Sequence, residues 1–139
     1  MLVVMIFLKT GIRVNVNSQS RDTIGAVSSE DYKQLCEMMD YDAVSRNPDE
    51  YSGKNVRITG KIEQVSEAGN GNVVYLVSTN SISGDIVYVT YKRGSGEERL
   101  LVGDIVAMYG ECGGVITYKS TLGTGVTVPC IQMKYYELK

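Results

Sequence analysis

The run VRITGKI at residues 56–62 narrows most sharply what this chain can fold into. It alternates: Val56, Ile58 and Ile62 fall on one face, and Arg57, Thr59, Lys61 and Glu63 on the other. That is the pattern of a half-buried strand. Gly60 occupies the inward position between Ile58 and Ile62, where a side chain is expected to pack. A glycine on the inward face of a strand marks a sharp bend or the close approach of another backbone. A long strand bent at a glycine can serve two neighbouring strands, and that is how a small barrel turns its corner. The residues just before it, NPDEYSG at 47–53, form a helix start. Asn47 caps, Pro48 takes the first position, two acids follow, and Gly53 ends the turn.

The rest of the chain fits a barrel. Fifteen glycines and two prolines in 139 residues suit a turn-rich β protein with one core. The segment at 28–40 predicts a helix with Tyr32, Leu35, Cys36 and Met39 on its apolar face. Asp40 caps a short second helix at 41–46. Strands follow at 73–79, 85–93, 104–111 and 130–138, with a hairpin turn at 68–72, a second turn at 80–84 and an irregular glycine-rich excursion at 113–129 that has room for a short hairpin. The expected fold is mainly β: a five-stranded barrel with an N-terminal helical pair. Residues 2–8 are an unbroken apolar run, too short for a membrane span, which needs about 20 residues. Two readings stay open: the trimmed end of a signal or anchor, or a strand that turns at Lys9-Thr10-Gly11 into the alternating IRVNVN, with a polar linker at 17–28 in either case. The expected organisation is therefore a segment at 1–28 and a domain at 29–139.

Composition limits the chemistry. The chain has no histidine, so it lacks the commonest general base and metal ligand. Cys36, Cys112 and Cys130 are too widely spaced for a zinc site, and an odd count is no disulfide framework. They read as small buried side chains, with a Cys112–Cys130 bridge open only if their strands are neighbours. The acids Glu30, Asp31, Glu37, Asp40, Asp42, Asp49 and Glu50 lack the alternate spacing and glycine turn of a metal loop. GSGEE and GTG are turns, since neither is followed by a Lys-Ser/Thr pair. The expectation is a non-enzymatic domain with no cofactor and no metal.

Three stretches carry a family resemblance: DAVSRNPDEYSGKNVRITGKIEQV, DIVYVTYKRGSGEERLLVGDIVAMYGE and TYKSTLGTGVTVPCIQMKYYE. They resemble the OB-fold, tRNA-anticodon-like domain of small surface or lipoprotein-like proteins of Gram-positive bacteria. The resemblance implies an OB barrel, an extracytoplasmic setting behind an anchor and linker, and a binding habit without catalytic residues.

OB barrels bind single strands across their second and third strands, with aromatic stacking and a cationic groove. The residues that would form such a groove here are Arg57, Lys61, Tyr75, Tyr88, Lys92 and Arg93, with Tyr91 beside them. Tyr88 and Lys92 share one strand parity, while Tyr91 and Arg93 share the other, so the two tyrosines face apart. A formal net charge of −2 works against a polyanion, whose affinity rests mostly on phosphate contacts. The leading reading is therefore a binding or adaptor domain for a protein or a surface polymer. Single-stranded nucleic acid is the alternative ligand, and a small mobile-element inhibitor acting by protein contact is a third.

Overall fold

A computed structural model of the protein describes residues 28–80, 82 and 84–139. The chain divides into two compact units, Met1–Tyr32 and Lys33–Lys139. Of the first unit only residues 28–32 are described, so the expectations placed on residues 1–27 lie outside the described residues.

Helix α1, Ser29–Leu35, starts where the capping pattern puts it. The Asp31 N–H donates to Ser28 Oγ at 3.2 Å. It ends several residues before the expected limit at residue 40. Glu37–Met38 forms a short strand, β1, parallel to residues 56–57, and the Met39 N–H donates to the Arg57 carbonyl at 3.0 Å. Bonds to a neighbouring strand replace those of a further helical turn. The expected apolar face changes accordingly: Cys36 and Met39 are buried, but Leu35 is 58% exposed. Helix α2, Tyr41–Arg46, is capped by Asp40, whose Oδ1 accepts from the Ala43 N–H at 3.1 Å. Helix α3, Pro48–Tyr51, begins at the proline, although the Asn47 side chain makes no capping bond. Gly53 at φ +90° then redirects the chain into the barrel.

Five long strands follow: β2 (Asn55–Glu67), β3 (Asn72–Asn80), β4 (Asp85–Lys92), β5 (Ile105–Lys119) and β6 (Gly125–Leu138). They pair in the order β2-β3-β4-β6-β5, and β5 returns to β2, which closes the barrel. Strands β4 and β6 run parallel, and the other barrel pairs run antiparallel. This is an OB-like barrel, mainly β, with three short helices before it among the described residues. The excursion at 113–129 does hold a hairpin, longer and more regular than expected: β5 and β6 continue as one hairpin that pairs as far as Lys119 with Gly125. The glycines there are absorbed by a register shift between Cys112 and Val115 rather than by a loop.

Gly60 does what its place in the pattern suggests. Residues 55–61 of β2 pair with β5, and residues 61–67 pair with β3. The strand changes neighbours beside Gly60, where a Cβ would stand 2.5 Å from the Ser78 carbonyl oxygen. The core lies inside the barrel, where Ile62, Val77, Val87, Val89, Val106 and Met108 are completely buried. At about 1.5–3 kcal/mol for each such side chain, barrel closure dominates the stabilisation. Cys36 and Cys112 are buried and Cys130 is half-buried, and all three are free thiols. Strands β5 and β6 are neighbours, but Cys112 pairs with Ile131, so Cys130 is one residue out of register and faces the other side of the sheet.

Candidate functional site

The outward face of the barrel is built from rows that cross the strands. Lys61 lies opposite Ser78 and Ser78 opposite Ile86. The next row is Gln64, Leu76, Tyr88 and Cys130, followed by Ser66, Val74, Thr90 and Gln132. Arg57 and Lys61 are exposed on β2, and neither side chain makes a hydrogen bond or ion pair with another described residue. Tyr88 is half-buried, with its ring centroid 5.9 Å from that of Tyr118 on the β5–β6 hairpin. Lys92 is exposed, and its Nζ donates to the Asn70 carbonyl at 2.5 Å. Four of the six expected groove residues therefore share this face.

The other two do not. Tyr75 points into the barrel, is 1% exposed, and has a hydroxyl pushed up to about 12 by burial. Its parity opposes that of Leu76, so its ring fills the core and offers no stacking surface. Arg93 is held at 3.2 Å by Glu67, which also takes Arg99 at 2.9 Å. The hydrogen bond from Arg93, ahead of the charge of Arg99, keeps the Glu67 carboxyl below the usual carboxylate range.

Tyr91 belongs to a second internal assembly. Its hydroxyl donates to Glu97 Oε2 at 2.6 Å, and the Tyr136 hydroxyl donates to the same oxygen at 3.1 Å. The two rings meet edge to face at 5.8 Å. The Gly94 N–H donates to Glu97 Oε1 at 2.8 Å. Burial alone would raise the Glu97 carboxyl, but these donors together hold it below its ordinary value. Burial, and then Glu97 itself, push the Tyr91 hydroxyl up. Glu97 reads in sequence as part of the GSGEE turn. No local signal marks its role, because Tyr136 lies 39 residues away.

A cleft of about 360 Å³ opens beside the outward face, between the first half of β2 and the ends of β3 and β4. Its lining includes Met39, Tyr41, Arg57, Thr59, Thr79 and Asp85. Burial, as the larger effect, and then the nearby charge of Asp85 raise the Tyr41 hydroxyl, against a hydrogen bond with the Ile86 backbone. The cleft thus sets an arginine and a carboxylate on a partly apolar wall. Among the described residues no group of three or more Cys, Asp or Glu side chains could hold a metal ion, and no helix is long and apolar enough to cross a membrane.

No protein-family model matches the chain, and no curated protein sequence matches it. Solved structures do. The aspartyl-tRNA synthetase of Entamoeba histolytica superposes with a TM-score of 0.54 at 13% identity, over 99% of this chain and 28% of the synthetase. This chain therefore spans little more than a quarter of that enzyme. The mitochondrial single-stranded DNA-binding protein of S. cerevisiae superposes with a TM-score of 0.42 at 15% identity, over 63% of this chain and 95% of that protein. At such identities the likeness to the synthetase concerns the fold.

Proposed function

We propose that this is a non-enzymatic OB-like binding domain whose partner is a polypeptide or a surface polymer. The observation that supports this reading is how the groove residues are used. Arg93 is neutralised by Glu67, Tyr75 fills the core, Tyr91 is locked to Glu97, and Tyr88 already packs against Tyr118. A single strand needs free aromatic faces and unpaired cations, and of the expected groove residues only Arg57, Lys61 and Lys92 carry a charge with no ion pair among the described residues. The net charge of −2 points the same way. The cell-surface setting implied by the sequence resemblance is part of this proposal.

A second reading, single-stranded nucleic-acid binding, is favoured by a specific arrangement. Lys61, Tyr88 and Lys92 lie on the same sheet face that OB barrels use for oligonucleotides, and the fold is shared with a tRNA synthetase. Fluorescence anisotropy with labelled DNA and RNA single strands of mixed sequence separates the two. The expected result is affinity weaker than about 1 µM at physiological salt. Submicromolar binding that disappears in an Arg57/Lys61/Lys92 triple alanine variant would establish the second reading instead.

A further inference from the structure

The pairing of β2 leaves a gap at residues 58–60 on one side, and the cleft lies at that gap. The Ile62 N–H donates to the Asp104 carbonyl at 2.9 Å, and the Ile62 carbonyl accepts from the Gly103 N–H at 2.8 Å. Even-numbered residues in this part of β2 therefore aim their backbone groups toward the β5 side. Odd-numbered residues aim theirs the other way, as the bond from the Met39 N–H to the Arg57 carbonyl shows. On that other side β1 covers residues 56 and 57, and β3 begins its pairing at Lys61. Thr59 falls between them, so its N–H and C=O point into the space between β1 and β3, where neither strand pairs with it. Backbone donors and acceptors at such an edge form a template for another extended chain.

The side chains around this edge have matching chemistry. Arg57 and Asp85 both line the cleft, and neither forms an ion pair or side-chain hydrogen bond with another described residue. The Thr79 hydroxyl donates to the Asp85 backbone carbonyl at 3.4 Å, a bond that does not engage the carboxylate. Met39 and Tyr41 supply apolar wall. At about 360 Å³ the space is at the small end of ligand sites, which suits a chain end better than a long segment.

We propose that this cleft binds the C-terminal end of an extended peptide that carries a basic side chain next to its last residue. The α-carboxylate takes the planar guanidinium of Arg57 through two parallel hydrogen bonds. The last peptide unit adds one residue of β pairing at Thr59. The basic side chain lies along Tyr41 and brings its charge to Asp85. A nucleotide matches less well, because its phosphate would satisfy Arg57 while Asp85 repelled a neighbouring phosphate. The inference rests on the polypeptide reading above and gives it a ligand class.

The test is a titration of the full chain with a fluorescein-labelled peptide that has a neutral body, a penultimate lysine and a free C-terminus. A matched peptide ending in an amide is the control, and 5′-mononucleotides are the competitors. The free acid is expected to bind at least about tenfold more tightly than the amide, a difference of about 1.4 kcal/mol. Arg57→Met should remove that difference, and Asp85→Lys should shift preference to a peptide with glutamate in place of lysine. This gain of a new ligand shows that the variant is folded. Equal binding of acid and amide, or no saturation by about 1 mM, overturns the inference and leaves the polypeptide reading standing. If mononucleotides displace the peptide and single strands bind submicromolar, the inference and that reading both fall.

Discussion

Replacing Gly60 with valine tests the architecture where β2 changes neighbours. A Cβ at this position would lie 2.5 Å from the Ser78 oxygen, 2.7 Å from Val77 Cγ1 and 3.1 Å from the Ser78 carbonyl carbon. Two of these three atoms belong to a peptide group in the β3 ladder, and Val77 is itself completely buried. Neither neighbour can swing aside, so β2 must part from β3 next to the Lys61–Ser78 pair. Overpacking costs about 1–3 kcal/mol, and contact with backbone places the valine at the upper end, about 3 kcal/mol. Gly60→Ala meets the same Cβ contacts. It regains about 0.4–1 kcal/mol from the stiffer unfolded chain, for a net loss of about 1–2 kcal/mol. For a domain of this size, about 3 kcal/mol lowers the melting temperature by roughly 10–15 °C. The assay is urea and thermal unfolding followed by circular dichroism. Gly69→Ala serves as the control, because a Cβ there meets nothing within 4 Å, and it should change stability by under about 0.5 kcal/mol. If Gly60→Val melted with the wild type, the close approach of β2 to β3, and the bend built on it, would be refuted.

Gly110→Ala should be more damaging than Gly60→Ala. Its Cβ would run into the Gln132 carbonyl oxygen and approach Met133 Cα to 2.8 Å, both in the β6 backbone, so a loss of about 3 kcal/mol or no soluble folded protein is expected in expression and melting assays. Glu97→Gln should cost about 1–2 kcal/mol at pH 7, because Tyr91, Tyr136 and the Gly94 N–H lose a charged acceptor. The folded-state carboxyl titrates below its ordinary value of 4.5, so its contribution is complete above that pH and is lost as pH falls through the lower folded-state value. Denaturation midpoints of Glu97→Gln and wild type should therefore converge in strong acid, and a constant gap down to pH 2 would contradict the clamp. Glu67→Ala should release Arg93 and Arg99 and so strengthen any residual salt-sensitive binding of single strands, with little change in melting temperature. Anisotropy at low and physiological salt would show this, and weaker binding in the variant would contradict the role given to Glu67.

The barrel was legible because its strands obey local rules. The alternation around Gly60, the turn at 68–72, and Pro48 at a helix start depend on residues close together in the chain. The misses came from partners distant in sequence. The first helix read too long because the pull of residues 56–57 on Glu37 and Met38 does not appear in the helix's own sequence. The stretch at 113–129 read as irregular because its glycines mask a regular pairing with Gly125 to Pro129 that a register shift makes possible. Of the candidate site, the parity of Tyr88 and Lys92 was readable, as was its opposition to that of Tyr91 and Arg93. That Glu67 holds Arg93, and Glu97 holds Tyr91, was not. Nor was the cleft at Thr59, which exists only because two different strands cover β2 on either side of residues 58–60.

Amide chemical-shift mapping tests most directly which surface this domain uses. One labelled sample is titrated with a mixed-sequence RNA single strand, and a second with the lysine-containing peptide that ends in a free carboxylate. The peptide should move the amides of Arg57, Thr59 and Asp85 and leave the Tyr88 and Thr90 rows in place, and the RNA at about 1 µM should move neither set. Shifts along Tyr88, Thr90 and Lys92 that saturate with RNA near that concentration would contradict the account and make the outward sheet face a nucleic-acid platform.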